Sequence, residues 1–147
     1  LVEPFARAGA DNITFHVEAA EKPEEVIELI RATGKMVGIS LKPSTSFNEI
    51  KPFMDKVDLV LVMSVEPGFG GQGYIESSTA RIAKIKKYLK DNCLERVQIQ
   101  VDGGIKLHNA KEVISAGGDI LVAGSEVFGS KNPYQVIKDF YANAHSI

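Results

Sequence analysis

Five short runs rich in Val, Ile and Leu recur along the chain, at residues 12–17, 36–41, 58–64, 97–102 and 119–124, and a helical pattern follows each. This alternation constrains the fold more than any other feature. A strand that is followed by a helix and then another strand returns to the same end of the sheet, so neighbouring strands run parallel through right-handed crossovers. The strand starts are 22 to 39 residues apart, which leaves room for one helix in each crossover. The runs read as apolar on both faces, as expected where helices cover a sheet outside and packed side chains fill it inside.

The helices carry their own punctuation. Pro23 stands at a first-turn position, Val26, Ile27 and Ile30 make an apolar stripe, and Gly34 stops the pattern. Ser46 with Glu49 reads as a capping box for a short helix through Met54. Residues 78–89 carry an Ile82, Ile85, Leu89 stripe, residues 108–116 end at Gly117, and Asn132-Pro133 caps and opens the last helix. No linker, low-complexity segment or shift in composition interrupts residues 1–147, so they read as a single domain.

Two α/β architectures compete. A closed eight-stranded barrel needs roughly 200 residues or more, and five runs fill only part of one. A doubly wound open sheet suits the length, but it announces its ligand in the first strand-to-helix loop. Here that loop holds Glu18-Ala19-Ala20-Glu21, without glycine. The glycine-rich loops follow the last three runs instead, where barrels hold phosphate. The expected fold is therefore of the (β/α)8 TIM-barrel type, incomplete in this chain, with five βα units and parallel strands.

Composition narrows the partners. A formal net charge of -2 with no basic cluster argues against nucleic acid. No apolar run approaches the roughly 20 residues of a membrane-spanning helix. A single cysteine, Cys93, excludes a disulfide framework within these residues and fits a reducing compartment. The opening Leu1-Val2-Glu3-Pro4-Phe5 lacks the layout of a secretory leader, so the expected location is cytoplasmic.

Chemistry concentrates at three strand ends. Val97-Gln98-Ile99-Gln100-Val101-Asp102-Gly103-Gly104 places a carboxylate at the end of a strand with two glycines behind it. Pro67-Gly68-Phe69-Gly70-Gly71-Gln72-Gly73 follows the third run, and Ala123-Gly124-Ser125 closes the fifth. Backbone N–H groups in such loops can hold a phosphate dianion. The same glycines also serve plain turn geometry, and a carboxylate there can equally cap the next turn.

These three motifs, in this order and spacing, resemble the ribulose-phosphate 3-epimerase (pentulose-5-phosphate 3-epimerase) family. The likeness extends through Ala8-Gly9-Ala10-Asp11, Thr14-Phe15-His16-Val17-Glu18-Ala19, Lys42-Pro43-Ser44-Thr45 and Val62-Met63-Ser64-Val65-Glu66. It implies a (β/α)8 barrel of which these residues supply strands four to eight. It also implies an isomerase of the pentose phosphate pathway, converting D-ribulose 5-phosphate to D-xylulose 5-phosphate through a metal-stabilised enediolate. The family's remaining catalytic aspartate and most of its metal ligands belong to its first three strands. On that basis the 147 residues alone are expected to be inactive.

The resemblance assigns roles residue by residue. Asp102 is the acid/base and one ligand of a divalent ion, whether zinc, iron, manganese or cobalt. Gly103, Gly104, Gly124 and Ser125 form the phosphate cradle. Gly68, Phe69, Gly70 and Gly71 form a mobile loop closing over the sugar phosphate. Met63 shields the site or fills the core. His16 and Glu18 alternate on one strand face, yet the family uses neither as a metal ligand, so His16 is expected to be structural. His108 and His145 are expected on exposed helix faces. A homo-oligomer is expected, with a pentulose 5-phosphate as substrate. Two alternatives remain: another sugar-phosphate barrel such as an allulose-phosphate epimerase or hexulose-phosphate synthase, and a non-catalytic phosphate-binding or assembly module.

Overall fold

The computed structural model describes residues 1–146. Its centre is a sheet of five parallel strands in the order β1-β2-β3-β4-β5, so every strand lies beside its neighbour in sequence. The strands are β1 (Asn12–His16), β2 (Met36–Leu41), β3 (Leu59–Met63), β4 (Gln98–Asp102) and β5 (Ile120–Val122). The helices are α1 (Val2–Arg7), α2 (Pro23–Ala32), α3 (Phe47–Ile50), α4 (Ser77–Asp91), α5 (Leu107–Ala116), α6 (Gly124–Phe128) and α7 (Pro133–His145). All five expected strands and their order in one parallel sheet are present.

Two local expectations need correction. Ser46 does cap α3, but its hydroxyl accepts from the Asn48 N–H at 3.2 Å, and after Ile50 the chain tightens into a 3-10 turn over Lys51–Phe53. Pro52 lacks an N–H and prevents a continuous helix from reaching Met54. The second correction concerns the strand faces. Val37, Ile39 and Leu41, Val60 and Val62, and Ile99 and Val101 join Ile27, Ile30, Ile82, Ile85 and Val113 in one core between sheet and helices. Strand alternation then turns Asn12, Thr14, His16, Ser40, Gln100 and Asp102 to the opposite, inner face. That face is mixed: Leu59, Leu61 and Met63 on β3 and Ile120 and Val122 on β5 share it with these polar groups, so the expected apolar inner face holds on β3 and β5 and not on β1 and β4.

The two ends of the sheet do different work. At the amino end, aspartates preceding β3 and β5 latch onto the strand before. Asp58 accepts the Val37 N–H at 2.8 Å and is paired with Arg31 at 2.9 Å and Arg96 at 3.6 Å. Asp119 accepts the Ile99 N–H at 2.9 Å and is paired with Lys86 at 3.0 Å. Each aspartate also donates its own N–H to the carbonyl of the residue it latches, both at 2.8 Å. The carboxyl end is left free for loops.

One helix terminus carries strain. After α4, the Leu94 N–H bonds the Leu89 carbonyl at 2.8 Å and the Cys93 N–H bonds that of Lys90 at 3.2 Å, a Schellman closure. Cys93, exposed and with φ of 56°, occupies the left-handed position where glycine is usual.

Candidate active site

Asp102 is the last residue of β4, half-buried on the inner face of the sheet. Its register partner on β3 is Met63, buried to 7% exposure, so a thioether and not water borders the carboxylate on that side. Burial raises the Asp102 carboxyl above its ordinary value of 3.8. An acid lifted this way is a better base when ionised and a more useful proton donor when protonated.

Behind Asp102 the backbone is pinned by Ser64, fully buried at the end of β3. Its N–H donates to the Asp102 carbonyl at 2.9 Å and its hydroxyl to the Gly103 carbonyl at 2.7 Å. The Ser64 carbonyl in turn accepts from Ile75 at 2.9 Å. One serine thus fixes the glycine-rich loop after β3 to the loop after β4.

The glycine pair is dictated by this contact between loops. Gly103 and Gly104 have φ of 128° and 65°. A Cβ on Gly104 would lie 2.2 Å from the Tyr74 nitrogen, and one on Gly103 2.6 Å from a Val65 methyl. Asn109 closes the turn, accepting from Lys106 N–H at 2.9 Å and donating to the Gly104 carbonyl at 3.0 Å. By contrast, a Cβ on Gly124 would meet no atom within 4 Å, nor would one on Gly68, Gly70 or Gly71. Gly124 opens α6, and with Ser125 it faces open space at the end of β5. In the loop after β3, Gln72 donates to the carbonyls of Glu66 at 2.6 Å and Phe69 at 3.0 Å. Phe69 is 73% exposed, so its ring does not pack where an aromatic among glycines suggests it should.

The remaining candidates fall outside this centre. Glu18 accepts from the Lys42 N–H at 2.8 Å and from the Thr45 hydroxyl. Burial pushes its carboxyl up, but these bonds and the nearby His16 outweigh it and hold it below the ordinary value. His16 Nδ1 lies 3.5 Å from Glu18 Oε2 without forming a hydrogen bond, so the structural histidine expected here has one ring nitrogen without a partner. His108 and His145 are exposed, as expected. No three His, Cys, Asp or Glu side chains come together to hold a metal among the described residues. No helix among them is long and apolar enough to cross a membrane.

Sequence reasoning missed Ser64, Asn109, and the pair Lys106 and Glu126, which meets at 3.0 Å beside Ser125. Asn109 had a local signal, an amide three residues after Lys106 that reaches back to its N–H.

The carboxylate at the end of β4, between glycine loops on β3 and β5, prompts comparison with known proteins. Residues 1–128 match the model of the Ribulose-phosphate 3 epimerase family. The chain belongs to this family. Ribulose-phosphate 3-epimerase of Serratia marcescens is 40% identical over 129 residues, covering 88% of this chain and 61% of that protein. The enzyme of the same name from Escherichia coli strain K12 is 37% identical over 139 residues, covering 95% and 61%. The chain thus spans about three fifths of the length of these relatives.

Solved structures place the fold among barrel proteins. A 3-hexulose-6-phosphate synthase superposes with a TM-score of 0.72 at 21% identity, over 97% of this chain and 66% of that one. KGPDC from Streptococcus mutans superposes with a TM-score of 0.75 at 15% identity, over 99% and 65%. At these identities the likeness is one of fold alone. The sheet is therefore an incomplete barrel of the TIM type, and its free carboxyl end is the one such barrels use for chemistry.

Proposed function

We propose that this chain serves the interconversion of D-ribulose 5-phosphate and D-xylulose 5-phosphate at carbon 3, with Asp102 as one member of an opposed acid/base pair. The observation that supports it most directly is the half-buried Asp102, its carboxyl raised by burial, at the strand end between the glycine loops. Carbon 3 lies beside the carbon 2 ketone. Asp102 takes the carbon 3 proton, the electron pair shifts toward the ketone oxygen, and an enediolate results. Return of a proton to the opposite face inverts the centre; in the reverse direction Asp102 supplies that proton.

Inversion needs a second acid facing Asp102, and the inner faces of β1 to β5 carry no other carboxylate. Nor do the described residues fit a metal centre by themselves: Asp102 can supply one ligand to a divalent ion, and no cluster supplies the rest. The phosphate lies on the N–H groups and hydroxyl of Gly124 and Ser125, next to the turn at Gly103 and Gly104. Phe69 and its flanking glycines, Gly68, Gly70 and Gly71, then close over the sugar and exclude water from the enediolate.

The test joins these residues to the amino-terminal units of a full-length relative and compares the chimera with the 147 residues alone. Turnover and solvent-deuterium incorporation at carbon 3 are expected in the chimera and not in the chain alone. Asp102→Asn in the chimera should cost at least about a hundred- to ten-thousand-fold, the usual worth of acid/base catalysis. An Asp102→Asn chimera within tenfold of its parent removes Asp102 from the mechanism. Full turnover by the chain alone removes the need for a second acid from elsewhere.

A further inference from the structure

The Glu126 carboxylate sits where an external anion would fit. Its Oε1 accepts from the Leu107 N–H at 3.2 Å, and its Oε2 lies 3.0 Å from Lys106 Nζ. The same ammonium donates to Ser125 Oγ at 3.2 Å. The Lys106 hydrogen bond and then the Leu107 amide hold the Glu126 carboxyl below its ordinary range. An ammonium and a backbone amide thus hold one pair of anionic oxygens between the loops after β4 and β5, and the same ammonium reaches a hydroxyl. Lys106 and Glu126 are partly withdrawn from water, their side chains 33% and 24% exposed.

A phosphate monoester offers three acceptor oxygens and nearly two negative charges, against the two oxygens and single charge of a carboxylate. Lysine carries its charge on a four-carbon stem with rotatable donors, so it can change partners without moving the backbone. Its present partner, Ser125, already belongs to the proposed cradle. We propose that Lys106 is a phosphate-binding residue of this site, and that Glu126 is an internal anion that occupies Lys106 when the site is empty and yields it when phosphate arrives. The inference rests on the reading of Gly124 and Ser125 as the phosphate cradle.

The two residues then have opposite signs. Removing the Lys106 charge deletes a charge-assisted contact with the ligand. Removing the Glu126 charge deletes a competitor and a like-charge neighbour, while glutamine keeps the oxygen that accepts from Leu107. A pair that merely staples α6 to α5 would lower thermal stability in both variants and leave affinity unmoved.

The experiment titrates the 147-residue chain with inorganic phosphate and with D-ribulose 5-phosphate, at fixed ionic strength, following backbone amide shifts. The variants are Lys106→Gln, Glu126→Gln, the double variant, and Gly124→Val, whose added side chain has free space in the fold. Lys106→Gln should weaken binding about tenfold or more. Glu126→Gln should tighten it by roughly threefold or more, and this gain should vanish in the double variant. If Gly124→Val loses binding while Lys106→Gln stays within twofold of the parent, the cradle stands and the inference about Lys106 falls. If Gly124→Val binds as the parent does, or the parent does not bind at all, the cradle reading itself falls.

Discussion

Replacing Asp58 by alanine removes the largest single fastening at the amino end of the sheet. The side chain accepts the N–H of Val37, a residue with no exposed surface, and meets Arg31 and Arg96. Stranding a buried backbone donor costs about 1–3 kcal/mol. The two arginines are half exposed, and each such pair is worth about 0–1 kcal/mol. Both also donate to backbone carbonyls, Arg31 to Lys56 and Arg96 to Val57 and Asp55, so neither is set adrift. The expected loss is about 2–4 kcal/mol, or roughly 5–15 °C in the melting midpoint of a chain this size. Asp58→Asn keeps an acceptor for Val37 and should cost about 1 kcal/mol. Urea unfolding followed by far-ultraviolet circular dichroism measures both. An alanine variant within about 0.5 kcal/mol of the parent (a margin typical of plain surface changes) would refute the latch.

Asp102→Asn should stabilise the chain while it disables the chemistry. Because folding raises the Asp102 pKa, the ionised carboxylate opposes folding at neutral pH. The parent regains that stability as pH falls through the raised value towards 3.8, so the advantage of asparagine should be full near pH 7 and close in acid. An advantage that does not vary with pH refutes the assignment. Cys93→Gly relieves a left-handed residue worth about 1–2 kcal/mol but loosens the unfolded chain by about 0.4–1 kcal/mol. A net gain of about 0.5–1 kcal/mol is expected by thermal unfolding, and a net loss contradicts the strain. Both β1 and β5 leave unpaired strand edges, and Phe128, Tyr134 and Tyr141 are exposed, so the chain should self-associate. Sedimentation equilibrium showing only monomer at high concentration counts against that.

Strand positions were legible because runs such as Met-Val-Gly-Ile-Ser-Leu stand between helix punctuation, and Met36–Leu41 forms as read. The polar side chains that β1 and β4 turn inward were legible too, in the alternation Asn12-Ile13-Thr14-Phe15-His16 and Gln98-Ile99-Gln100-Val101-Asp102, but the habit of parallel sheets to bury both faces pointed elsewhere. Asp102 and its glycines carry their signal locally, in a strand end followed by a turn. The steric demand behind Gly104 does not, since it comes from Tyr74, thirty positions away. Helix α6 has five residues, too few for a periodic pattern, and the ion pair of Lys106 with Glu126 spans a strand and a helix.

The brevity of β5 has a consequence for the proposed phosphate cradle. Gly124 and Ser125 hang from a strand of three residues that has a hydrogen-bonded neighbour on one side only, β4. Such an edge opens more readily than β2, β3 or β4, each braced on two sides. Amide protons of Ile120, Leu121 and Val122 should therefore exchange with solvent sooner than those of β3. On the proposed reading, an anion bridging the loops after β4 and β5 would bind only the seated arrangement, and part of its binding energy would go into closing that edge. Ligand should slow exchange along β5 well beyond the residues it touches, and affinity should rise with anything that anchors the strand, even far from the phosphate.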